Sequence, residues 1–379
     1  MSEVTLATAL EKQIWINDYL KEYVRDSGFM PYMGKANTNI IMTKHELQNE
    51  AGKTINIPLI MRQTGDGRTG SQVLEGFEDD MGNYNCALSV DWRRKGIVVP
   101  KSTSYKTEID LLGAARETLK TWSSEKLRDD IIKALLQIIP LTSTTTPVEY
   151  GTITALSGGG YEITSANYVA SEANKDAHLV LNDDRTLYGA LRSNASSNDH
   201  STALATLDTT NDKMSAAIGS LAKRMAKAAD PHIRPFRTGT QGREFFVMFC
   251  GSRAFRDLKA DSVITAANRD ARPRDVDANP LFQDGDVIYD GVIYREIPEI
   301  PVLQDVGDSA TTDVTPCFLC GAQAVGIAWG QKPTPRTQTV DYGFRPGVAI
   351  EELLRVQKLF FNGVQQGVVS VFVASAPDT

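Results

Sequence analysis

The chain has 379 residues and a mass of 41.5 kDa, more than the roughly 100 to 200 residues of one ordinary domain, so two compact bodies with extended segments are expected. Apolar residues at 41% and charged residues at 23% are close to globular averages and exclude wholesale disorder. A formal net charge of -7 supplies no basic face for duplex DNA, and the most apolar stretch, residues 314–330, is interrupted by Pro316, Gln323 and glycines, so it falls short of the roughly 20 apolar residues of a membrane helix.

The segment that opens with Met1 carries no basic or apolar signal region, and a cytoplasmic start is expected. Over residues 5–27, Leu6, Leu10, Ile14, Leu20 and Val24 recur as on one helical face. Gly28 ends this pattern, which reads as an N-terminal arm helix packing on a body or a neighbour. Residues 54–61 read as a strand and 84–100 as a longer, discontinuous one with Leu88, Val90 and Trp92 alternating on one side. Between them lie Gly65-Asp66-Gly67-Arg68-Thr69-Gly70 and the acidic run Glu75, Glu78, Asp79 and Asp80. The pattern predicts a long two-stranded projection with a charged, glycine-rich end, and such hairpins are marginal in water unless they lie on something.

Residues 108–139 give the strongest helical spacing, through Ile109, Leu112, Ala115, Leu119, Trp122, Ile131, Leu135 and Ile138, and stop at Pro140. At 1.5 Å per residue this helix is on the order of 48 Å long, more than one small core can cover. Residues 141–208, rich in Thr, Ser, Asn, Gly and Ala, read as an insertion or a loosely built subdomain in which 184–193 is the piece expected to be ordered. Helical spacing returns over 212–229. A buried strand is expected at 244–250, a helix from Ser252, a hairpin over 287–297 around Asp290-Gly291, and buried strands at 318–329 and 368–373. Helices and strands mixed without regular alternation predict an α+β fold.

Motifs of chemistry fail on context. Gly65 to Gly70 spells G-x-G-x-x-G, but no helical periodicity follows to receive a pyrophosphate, and no lysine follows Gly70 as a P-loop needs. His45-Glu46 opens like a zinc-protease motif but has Asn49 at the second ligand position. Cys317 and Cys320 have C-x-x-C spacing without a partner pair, and in a strand they point to opposite faces. No G-x-S-x-G elbow occurs. The four histidines are scattered and read as surface or core residues. Asp129-Asp130 sits beside Lys126, Arg128 and Lys133 and reads, like Asp183-Asp184, as a solvated carboxylate pair. Arg93-Arg94-Lys95, with Trp92 beside them, can be read as a nucleic-acid patch or as a charge cluster complementary to an acidic surface on a neighbouring subunit, and the second reading is favoured because the chain itself supplies that surface in Glu75, Glu78, Asp79 and Asp80. No catalytic residue, cofactor or metal ligand is assigned.

One ordered set of segments carries a resemblance: Pro231-His232-Ile233-Arg234-Pro235, Glu244-Phe245-Phe246-Val247-Met248-Phe249, Arg253 to Leu258, Asn279-Pro280-Leu281-Phe282, Tyr289-Asp290-Gly291-Val292 and Gly321-Ala322-Gln323-Ala324. The set resembles the N4-gp56 family of tailed-phage major capsid proteins. The likeness is densest over 213–330 and weaker over 63–136. It implies an HK97-like capsid fold: an N-terminal arm (1–50), an extended hairpin called the E-loop (51–103), a peripheral domain with a spine helix (104–140), the polar insertion (141–211), an axial domain (212–331), and a C-terminal segment returning to the periphery (332–379). It implies a virion shell protein, not an enzyme, assembled in the host cytoplasm from copies of itself as pentamers and hexamers. Portal, scaffold or decoration proteins are further partners, and double-stranded DNA is enclosed without sequence-specific binding. An encapsulin-like nanocompartment shell and a nucleotide-binding enzyme using residues 65–70 are the alternatives.

Overall fold

The computed structural model describes residues 27–48, 52–63, 67–72, 74–75, 78, 81–107, 109–155, 160–238, 243–270 and 286–377. The expected arm helix, apart from Ser27, and the Asn279-Pro280-Leu281-Phe282 run lie outside these residues. Helices and strands mix without regular alternation, the α+β class. The chain forms two compact units, one of Met1–Ser27, Trp92–Lys126 and Gln331–Leu353, the other of Gly28–Asp91, Leu127–Gly330 and Leu354–Thr379.

The larger unit is organised by a ten-stranded mixed sheet. Its central strand, Asp313–Cys320, pairs antiparallel with Glu244–Cys250 and with Val368–Ser375, and Glu244–Cys250 pairs in parallel with Val292–Glu296. These strands are apolar without alternation because both faces are covered. On one face Phe246, Met248, Cys317 and Leu319 meet Ile218, Met225, Phe255 and Leu258 from helices Ala216–Ala228 and Ser252–Ala260. On the other, Val247, Phe249, Phe318 and Cys320 join Ile131, Leu135 and Leu179. Cys317 and Cys320 therefore lie in opposite layers, both as free thiols.

Local chemistry sets the element ends. Ser215 starts the helix Ala216–Ala228 by accepting the Ile218 N–H on its hydroxyl. Asp212, expected inside that helix, stands before it, buried, accepting the Ala190 N–H at 2.8 Å. The expected hairpin forms from Asp286–Tyr289 and Val292–Glu296, with Asp290 at φ 47° and Gly291 at φ 71°, the two left-handed residues a tight hairpin turn requires. A Cβ on Gly291 would sit 2.9 Å from the Glu244 carbonyl oxygen. Gly291→Ala is expected to lower stability by about 1–3 kcal/mol, read as a shifted chemical-unfolding midpoint; an unshifted midpoint would show that the turn tolerates the side chain.

Two expectations need correction. Residues 318–329 are not one strand. Asp313–Cys320 ends at a turn over Gly321, Ala322 and Gln323, the last at φ 60°, and Val325–Val340 begins in a different sheet. Small residues keep that turn apolar, which hides it in the sequence. A Cβ on Gly321 would meet the Arg234 carbonyl oxygen. The C-terminal segment carries a long hairpin, Val325–Val340 with Arg345–Lys358, in a five-stranded sheet that runs Met33–Gly34, Ile41–Lys44, Val325–Val340, Arg345–Lys358, Asp91–Val98. Residues 141–211 are not loosely built. Thr154–Ala155, Tyr161–Ile163 and Thr186–Tyr188 join the large sheet, and Tyr150, Ile163, Leu179, Tyr188 and Leu204 are in its core. The segment fills its share of the core with tyrosine, histidine and alanine beside a few scattered leucines and Ile163, so its polar composition misleads.

The spine helix runs Leu111–Leu136, 26 residues or about 39 Å. Leu119 packs with Val348 and Ile350 in the smaller unit, while Ile131 and Leu135 serve the core of the larger. The excess length is used by two cores of the same chain. Beside Asp129, Arg128 is buried rather than solvated and donates to Glu299 at 3.1 Å and Asp129 at 3.0 Å.

Candidate functional site

In the smaller unit, the strand Arg345–Lys358 alternates inward and outward, and Val348, Ile350 and Glu352 share the inward phase. Glu352 is a carboxylate on an apolar face, 1% exposed. Its Oε1 accepts from Arg93 Nε at 2.6 Å and its Oε2 from Ser123 Oγ at 3.0 Å. Arg93 comes from the strand Asp91–Val98 and Ser123 from the spine helix. The Arg93 guanidinium lies 5.8 Å and the Lys95 ammonium 4.9 Å from the centre of the Trp122 ring. This arrangement clamps one strand, one helix and one hairpin strand through a single buried carboxylate, whose desolvation the guanidinium must offset.

The eight candidate contact residues separate under this geometry. Arg93 is committed to Glu352 within its own chain, and Lys95 leans on Trp122 while remaining exposed. Arg94 is exposed and helps hold the outward-facing Glu351 below its usual carboxylate range, behind the larger effect of Arg336 donating at 2.6 Å. Trp92 is 53% exposed, so it does not continue the buried side of Leu88 and Val90; one strand ends at Ser89 and the next begins at Asp91. Glu75 and Glu78 are exposed, and Asp79 and Asp80 lie outside the described residues. Glu352, Ser123 and Trp122 are the partners that motif reading missed. The signal for Glu352 was present as a charge in the apolar phase of an alternating strand.

The two-stranded projection is Thr54–Ile60 with Asn83–Ser89, registered from Thr54 opposite Ser89 to Ile60 opposite Asn83, and neither strand joins another sheet. Its root is anchored on its own unit: Cys86 and Leu88 are buried, and Gln357 Nε2 lies 3.7 Å from Cys86 Sγ. Towards the far end Ile60, Leu74, Met81 and Tyr84 are exposed. Gly67 and Gly70 adopt positive φ with open space around them, and among the described residues from 67 to 98 there is no helix, so the described part of the glycine motif, residues 67–70, is a loop.

The larger unit also holds a buried polar network. His200 Nε2 is 2.7 Å from the Tyr150 hydroxyl and its Nδ1 2.6 Å from that of Tyr188. A neutral ring meets both by accepting from one hydroxyl and donating to the other. Burial, with Lys175 nearby, pushes the His200 pKa down to about 3. His178 is lowered well below its ordinary value by burial and by Lys358. Burial pushes Lys358 down to about 7, with its ammonium nitrogen 3.1 Å from Gln365 Oε1. Glu172, Asp176 and Asp199 bring oxygens within 4.8 Å of one another. Lys175 pairs with Glu172 at 3.1 Å and Asp176 accepts the His200 backbone N–H at 2.8 Å, so those charges already serve the fold.

A two-faced sheet, a spine helix serving two cores and a self-paired projection together define an HK97-like capsid body. The structure of the cyanophage Pam1 capsid asymmetric unit matches with a TM-score of 0.89 and 39% identity, covering 100% of each chain. The capsid of Ralstonia phage GP4 shares the fold, at a TM-score of 0.70 and 19% identity with 100% of each chain covered. The major capsid protein of Pseudomonas phage KPP25 is 25% identical over 96% of this chain and 95% of its own. The model of the phage capsid protein family matches residues 3–373, and the chain belongs to that family. Membership makes it a structural component of a phage virion and favours a phage head over a nanocompartment shell or a nucleotide-binding enzyme.

Proposed function

We propose that this chain is the major capsid protein of a tailed phage of the N4-gp56 subfamily, closing an icosahedral head from pentamers and hexamers of itself around double-stranded DNA. The observation that carries the proposal is the self-paired projection, whose Ile60, Leu74 and Met81 are exposed among the described residues and suit the surface of a second copy. Contacts between unlike patches of identical subunits close into rings. In this reading residues 51–103 are the E-loop, the spine helix and the long C-terminal hairpin form the peripheral domain, and 212–331 form most of the axial domain. The net charge of -7 suits a lining that encloses DNA without adhering to it. The role is mechanical, with no catalytic step. Assembly takes place in the host cytoplasm, with portal and scaffold proteins as partners.

Arg94, with Lys95 as its neighbour, is the basic contact proposed to meet Glu75, Glu78, Asp79 and Asp80 of an adjacent copy. Arg94→Glu is expected to leave the subunit's unfolding midpoint within about 0.5 kcal/mol of the parent, as for a surface change, while reducing the yield of closed shells in electron micrographs. Shells of normal yield and diameter from this variant would remove Arg94 from the interface.

A further inference from the structure

In the larger unit a small cavity is lined by Leu135, Ile138, His178, Thr186, Lys358 and Phe372, among others, with about 20 Å³ of room for the centre of a water-sized particle. That is enough to hold at least one such particle. No carboxylate lines it. His178 Nδ1 accepts the Ile139 backbone N–H at 3.3 Å and lies 3.2 Å from Asn182 Nδ2, so the proton of the neutral ring sits on Nε2. The Thr186 hydroxyl is buried without a partner. Lys358 Nζ spends one hydrogen on Gln365 Oε1 at 3.1 Å and carries more. Lys175, Tyr150, Tyr188 and His200 also line the wall but are engaged with Glu172 and with one another, which leaves Lys358, His178 and Thr186 with hydrogens to donate into the cavity.

We propose that this cavity binds one halide-sized monovalent anion, held by the Lys358 ammonium, the His178 Nε2–H and the Thr186 hydroxyl. A lone ammonium is costly in an apolar wall, and an opposite charge beside it offsets that cost. Burial alone moves the Lys358 amine towards its neutral form, and an anion reverses the tendency by favouring the charged form. A water molecule would also accept these hydrogens but would leave the ammonium without a counter-charge.

The test is thermal unfolding of the full-length chain at pH 7 in sodium chloride, sodium bromide or sodium isethionate at equal ionic strength. A site specific to folded protein raises the midpoint in the halides, and a tenfold excess over the dissociation constant multiplies the folding constant by about 11. Lys358→Met should abolish the halide-specific rise whatever its own stability, and Thr186→Val should weaken it. Equal midpoints in all three salts, or a halide rise that persists in Lys358→Met, would overturn the proposal. So would a high-resolution map showing an occupant with no bromide anomalous signal, since that occupant would be water.

Discussion

Replacing Arg93 by methionine should strongly destabilise the smaller unit, because it removes the guanidinium and leaves Glu352, 1% exposed, as an uncompensated charge. Breaking one side of a buried pair costs about 3–5 kcal/mol, a large share of a net stability of about 5–15 kcal/mol. Ser123 still donates to the other carboxylate oxygen, yet a neutral hydroxyl does not balance a full charge. Arg93→Lys keeps the charge but loses the planar fork, and should fall between parent and methionine variant. Arg93→Met with Glu352→Leu should recover most of the loss, since a buried pair replaced by apolar groups of similar size is often neutral. Limited proteolysis within residues 92–126 and 331–353, with chemical unfolding, reads all three variants. A methionine variant as stable as the parent would mean that the buried carboxylate does not depend on the guanidinium.

The second large effect is loss of stability in mild acid. His200 has a folded-state pKa of about 3 and His178 is also held low, against about 6.5 in an unfolded chain. Above pH 6.5 both states are neutral and these rings contribute no pH dependence. Below it the unfolded chain takes up the protons and the native state does not, so stability falls by about 1.4 kcal/mol per pH unit for each fully shifted ring. His200 alone should cost about 2 kcal/mol at pH 5, and the loss continues towards its folded pKa of about 3. Asp199, in the same region, and Glu351 have lowered values, so their losses come at lower pH than this window. His200→Gln keeps a donor and an acceptor for Tyr150 and Tyr188, and should flatten the slope of unfolding midpoint against pH between 6.5 and 5. A slope unchanged in that variant would assign the acid loss to other groups.

Much of the fold was legible in residue pattern. Glu244–Cys250, the helix beginning at Ser252, the hairpin at Asp290-Gly291 and the spine helix announce themselves through length of apolar run, helical spacing and turn residues. The thiols of Cys317 and Cys320 were placed on opposite faces by strand period alone. The turn near Gln323 was not legible, because alanine and glycine read as a continuation of an apolar strand. The core role of residues 141–211 was hidden because hydrogen-bonded tyrosine and histidine do not score as core. Within the basic cluster, Arg93 and Arg94 look alike in sequence and differ only in what stands opposite them.

The sequence by itself determined the class of protein, since an ordered set of short segments and a projection without a sheet partner require no distant contact to be recognised. Tertiary structure alone decided which charges are available to a neighbour. Burial of Glu352 depends on Ser123 and Arg93, which lie 229 and 259 residues away along the chain. Desolvation acts through proximity in space, and no local window of sequence contains it.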